Sequence, residues 1–150
     1  LAYNFDPEVL WCMPAKFYGA FLINHDVHKG RDGGHHNHRQ NLGWYAGFCL
    51  GEVVGEGDWA IDIRYEVVQL NCMPDNDVSG IGRGNTLDES VTSRAHRGNT
   101  NYKGYRLEGL YAITDNLSID SILQWSRAYK NSIGGKHHFS EFRVEAIYAF

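Results

Sequence analysis

Residues 105–126 read YRLEGLYAITDNLSIDSILQWS. In an extended chain Tyr105, Leu107, Gly109, Tyr111 and Ile113 fall on one side, and Arg106, Glu108, Leu110 and Ala112 on the other. After Thr114-Asp115-Asn116 the alternation resumes. Ile119, Ser121, Leu123 and Trp125 then oppose Asp120, Ile122, Gln124 and Ser126. A period of two, sustained on both sides of a turn-forming tripeptide, predicts two antiparallel strands joined by a tight hairpin.

The same period recurs along the chain. Trp59, Ile61, Ile63, Tyr65 and Val67 alternate with Asp62, Arg64, Glu66 and Val68. Phe142, Val144, Ala146, Tyr148 and Phe150 alternate with Glu141, Arg143, Glu145, Ile147 and Ala149. Weaker runs are Phe17, Gly19, Phe21, Ile23 and Trp44, Ala46, Phe48, Leu50. Six strands are predicted, at about 16–25, 41–54, 58–71, 101–114, 117–130 and 139–150. Residues 1–13 fit the tail of an earlier strand, ending in a turn at Met13-Pro14.

Composition narrows the class. The chain has 150 residues, 43% hydrophobic, 21% charged and 13% aromatic, with a mean hydropathy of -0.43. No stretch approaches the roughly 18 apolar residues of a membrane helix. The aromatic content is too high for a disordered chain. Gly at 17 with Pro at only 3 suits long strands more than a loop-rich soluble domain. A net charge of -4 gives no support to nucleic-acid binding. The chain opens at Leu1 without a secretory leader pattern, which reads as a processed chain or a fragment. Cys12, Cys49 and Cys72 have no metal-binding spacing, and one disulfide or three thiols fit equally.

The connections sort by length. Gly55-Glu56-Gly57 and Thr114-Asp115-Asn116 are short, whereas 26–40, 72–100 and 131–138 are long, polar and Gly-rich. Alternating short and long connections are the layout of an antiparallel transmembrane β-barrel, with short periplasmic turns and long outer loops. Placing Phe150 at the periplasmic rim puts every long connection outside. The last strand, with Val144, Ala146, Tyr148 and Phe150 in phase, resembles the C-terminal assembly signal of outer-membrane barrels. Tyr105 to Ile113 spans about 26 Å, or about 20 Å after a ~40° tilt, near the apolar band of such barrels. Tyr105 and Trp125 are expected at its upper edge, and Trp59, Tyr111, Tyr148 and Phe150 at its lower edge. Six strands are too few to close, so the chain is expected to be the C-terminal portion of a larger barrel.

Gly57-Asp58-Trp59, Tyr65, Asp75-Asn76-Asp77 and Gly98-Asn99-Thr100-Asn101-Tyr102-Lys103-Gly104 add a family likeness. Over residues ~41–150 the chain resembles the C-terminal part of a porin family of Gram-negative bacteria. The resemblance implies a passive diffusion channel in the bacterial outer membrane, of roughly sixteen strands. The implied partners are outer-membrane lipid, the barrel-assembly machinery and small hydrophilic solutes. A homotrimer and a monomer are both compatible with it. No cofactor is implied.

The expected pore lining is Asp62, Arg64, Glu66, Arg106, Glu108, Asp120, Gln124, Glu141, Arg143 and Glu145. Counting up the strands, Arg64 should face Glu108 and Arg106 should face Glu66. Carboxylates outnumber arginines there, which favours cations mildly unless the pairs simply keep a hydrated wall rigid. All eight histidines lie in or beside the outer loops: His25, His28, His35, His36, His38, His96, His137 and His138. Of these, His35, His36 and His38 are the metal candidates, although no regular element holds them in geometry. Asp75-Asn76-Asp77-Val78-Ser79-Gly80 resembles the start of a Ca²⁺ loop, but its twelfth position is Thr86 instead of Glu. No catalytic constellation stands out, so an enzyme is not expected. A competing reading is an outer-membrane receptor or adhesin-like surface protein whose His-rich loop binds metal or a host ligand. A soluble β-sandwich or lipocalin-like binder is a third.

Overall fold

The computed structural model describes residues 1–6, 13–25, 40–73, 100–131 and 138–149. They form one antiparallel sheet of seven strands in chain order. The strands are β1 (Ala2–Phe5), β2 (Ala15–Ile23), β3 (Leu42–Gly51), β4 (Trp59–Val68), β5 (Tyr102–Thr114), β6 (Leu117–Ala128) and β7 (His138–Tyr148). The all-β expectation holds, and the strand count rises from six to seven because β1 is a strand of its own. β1 pairs with β2 through Tyr3↔Phe17 and Phe5↔Ala15. Among the described residues β1 and β7 each pair on one side only, so the sheet is not closed into a barrel.

One of the two expected tight turns matches and the other differs. The Asp115-Asn116 turn is as tight as predicted, with Thr114 Oγ1 accepting the N–H groups of Asn116 and Leu117 at 3.3 and 3.0 Å. The link from β3 to β4 is wider, covering residues 52–58. Within it the Asp58 carboxylate accepts the Val54 and Gly55 N–H groups at 3.1 and 2.9 Å. Gly57 takes a φ of 85°, a left-handed conformation that L side chains rarely adopt. The sorting of connections by length is also less strict than read from sequence. The β1–β2 link, residues 6–14, lies at the short-turn end yet equals the β6–β7 link, residues 129–137, in length.

The register assigns the two faces. Trp59↔Tyr111, Ile63↔Leu107 and Tyr65↔Tyr105 join β4 to β5. Tyr105↔Trp125 and Leu107↔Leu123 carry the same face onto β6. That face is apolar and open: Trp59 is 38% exposed, Tyr111 50% and Leu123 37%. Along it Trp44, Tyr65, Tyr105 and Trp125 form a continuous row of rings, with centroids 5.6, 4.6 and 5.2 Å apart. Six residues toward the other end of the strands, Trp59 and Tyr111 pair directly. Tyr148 lies at the Trp59–Tyr111 end as well, whereas Phe17, Phe48 and Phe142 occupy the row between the two ends.

The opposite face is ionic and more sheltered. Glu66 is 5% exposed and Gln124 7%, while Tyr102 is fully buried. A water-soluble sheet turns its apolar face inward. Here the apolar face is the exposed one.

Candidate functional site: the ionic face

Every residue expected in the lining lies on this face. Arg64 (β4), Arg106 (β5), Gln124 (β6) and Glu141 (β7) form one row across the sheet. Asp62, Glu108 and Arg143 lie on the row beside it, with Ile122 between the last two. Asp120 pairs with Glu145, and Glu66 is opposite Gly104.

The cross-strand pairs expected from sequence do not form. Arg64 faces Arg106, and Asp62 faces Glu108. The offset is two residues, because Trp59 pairs with Tyr111 and the end of β5 runs on past it into a bulge between Ala112 and Thr114. Hydrogen bonds from Gly57 N to Ala112 O and from Ala112 N to Asp58 O, at 2.9 and 3.0 Å, fix that alignment. A slip of two leaves each side chain on its original face.

The ion pairs run along strands instead. Arg64 Nε lies 2.7 Å from Glu66 Oε1, Arg106 Nη2 2.8 Å from Glu108 Oε2, and Arg143 Nε 3.1 Å from Glu145 Oε1. Each arginine thereby neutralises the carboxylate two residues on, and two guanidinium groups become cross-strand neighbours at mid-sheet. Gln124 Nε2 donates to Glu141 Oε2, extending the network to β7.

Tyrosines complete the surface, and the sequence reading passed over them. The Tyr102 hydroxyl donates to Glu66 Oε2 at 2.9 Å. The Tyr18 hydroxyl lies 2.7 Å from both carboxylate oxygens of Asp62. The Arg64 guanidinium carbon stands 5.7 Å from the centre of the Tyr45 ring. All three tyrosines are in phase with charged or small residues on their strands, which was the available signal. Toward the Val68–Tyr102 end of the strands a cleft of about 320 Å³ opens between Leu22, Tyr45, Arg64, Glu66, Met73 and Tyr102. Cys49 sits on this face opposite Asp62.

The other candidates fall elsewhere. Val144, Ala146 and Tyr148 lie on the apolar face of β7, in register with Ser121, Ile119 and Leu117. Phe150, the metal candidates His35, His36 and His38, the Asp75–Asp77 segment and Cys12 lie outside the described residues. Among the described residues no group of three or more His, Cys, Asp or Glu side chains could hold a metal ion.

The chain matches no family model, no curated protein and no solved structure.

Proposed function

We propose that the sheet is part of an outer-membrane β-barrel, with its apolar face against lipid and its ionic face lining a water-filled path for small hydrophilic solutes and ions. The observation that carries this reading is the inversion: Trp59, Tyr111, Leu123 and Trp125 are exposed while Glu66 and Gln124 are sheltered. Two aromatic heights on the exposed face match the two interfaces of a bilayer. In hydrocarbon the open edges of β1 and β7 must be paired, because unpaired backbone groups cost several kcal/mol each there. The reading therefore includes further strands that close the ring. The edge of β7 is the surface on which assembly machinery would act.

The ionic face supports conduction without covalent chemistry. Its arginines are each matched to a carboxylate, and Asp62, Asp120 and Glu141 add negative charge beyond those pairs. A lining with surplus carboxylates favours cations over anions.

The test is reconstitution of the purified protein into planar bilayers. Stepwise conductance with a mild cation preference is expected. A protein that stays dispersed without detergent and gives no conductance steps would overturn the proposal.

A further inference from the structure

We infer that the outward face carries a site for the phosphate-bearing headgroup of an anionic lipid, formed by Lys103, Arg127 and His138. The inference rests on the membrane reading above and adds a ligand to its lipid-facing side. Lys103 pairs with Arg127 across β5 and β6, and Arg127 pairs with His138 across β6 and β7. The three basic side chains therefore occupy neighbouring positions in one row. Two residues along the strands, on the same face, lie Tyr105 and Trp125 of the aromatic row.

The charge distribution singles this row out. On this face Trp59, Ile61, Ile63, Tyr65 and Val67 of β4 and all the other residues of β5, β6 and β7 are uncharged. The carboxylates of these strands all belong to the opposite face. Among the described residues no ion pair involves Lys103, Arg127 or His138. Lys103 Nζ is placed 5.8 Å from the centre of the Tyr129 ring, an aromatic contact that leaves its charge unneutralised. With Tyr65, Tyr105 and Trp125, the basic residues line a shallow cleft of about 270 Å³.

Uncompensated cations are costly in hydrocarbon and favourable where an apolar surface meets anionic headgroups. The Arg127 guanidinium offers paired donors to phosphate oxygens, and Lys103 supplies a point charge. The rings just below suit the boundary between headgroup and acyl chain. The occupant is thus a lipid whose phosphate meets the basic row while its chains descend over Tyr105 and Trp125.

The experiment is native mass spectrometry of the detergent-solubilised protein. It is offered phosphatidylglycerol or phosphatidylcholine with identical chains, with inorganic phosphate as a third arm. The wild type should retain the anionic lipid with roughly tenfold preference. Lys103→Gln/Arg127→Gln/His138→Gln should lose the preference, and Lys103→Arg/Arg127→Lys should keep it. Equal retention of both lipids by the wild type, equal preference in the glutamine variant, or displacement of lipid by equimolar inorganic phosphate would each overturn the site. Bilayer conductance of the same preparations separates the two readings. Conductance without lipid preference removes only the lipid site, whereas loss of both removes the membrane reading.

Discussion

The Tyr18 hydroxyl on β2 reaches the Asp62 carboxylate on β4, 2.7 Å away, by lying across β3 at Gly47. A Cβ at position 47 would stand 2.4 Å from the Tyr18 ring carbon Cζ and 2.6 Å from its hydroxyl oxygen. The missing side chain is what lets one residue tie together strands that do not pair.

Gly47→Ala should therefore displace the tyrosine and destabilise the folded protein by about 1–3 kcal/mol, the usual range for overpacking. Tyr18→Phe, which keeps the ring and removes the donor, should cost about 1–2 kcal/mol. Urea midpoints in detergent measure both. In a Tyr18→Ala background the alanine at 47 should be nearly neutral; an unchanged penalty there would mean the clash lies elsewhere.

The three in-strand ion pairs should respond unequally. Glu66 is 5% exposed and keeps the Tyr102 hydroxyl as a donor, but Arg64→Gln removes the cation beside a sheltered carboxylate and should cost about 3 kcal/mol. Both side chains of the Arg143–Glu145 pair are about half exposed, and Arg143→Gln should cost less than about 1 kcal/mol. Equal shifts in the urea midpoint would contradict this ordering.

Replacing a single side chain on the exposed face distinguishes lipid from water. Leu123 pairs with Leu107 near mid-height. Leu123→Arg should cost about 2–4 kcal/mol if that face meets acyl chains. On a solvated surface the same change stays within roughly 0.5 kcal/mol. Folding measured in lipid vesicles gives the answer.

The 52–58 turn should show an acid-side pH dependence. Hydrogen bonds from the Gly55 and Val54 amides hold the Asp58 carboxyl below its usual range. A depressed pKa in the folded state gives stability that is present above the unfolded value, about 3.9, and lost as the pH falls through the folded value. Amide exchange at Gly55 should accelerate in that window in the wild type. Asp58→Asn should lack this acid-side change, and an identical profile in both proteins would exclude Asp58 as its source.

Much of this architecture could be read from alternation alone. Trp59 to Val67 and Tyr105 to Ile113 declare their faces because neighbouring side chains point oppositely along any strand. Register was less accessible. Aligning Trp59 with Tyr111 or with Ile113 gives the same face pattern, so only the turn hydrogen bonds at Gly57 and Ala112 decide whether Arg64 meets Glu108 or Arg106. The short β1 was seen only as a fragment because Ala2–Phe5 offers too few residues to display a period. Tyr18 was missed as a partner of Asp62 because nothing local in either segment marks a contact made over an intervening glycine.

The strand order has a kinetic meaning. Each strand finds its neighbour in the segment laid down immediately before it, so the sheet can grow by successive addition without any segment having to thread past another. Even the link from β4 to β5, residues 69–101, adds little to the cost of that growth, since doubling the length of a connection costs only about 0.6 kcal/mol of closure entropy. Variation in the long connections is therefore free to proceed with small effect on assembly. Insertions there should change the connections themselves long before they impair formation of the sheet.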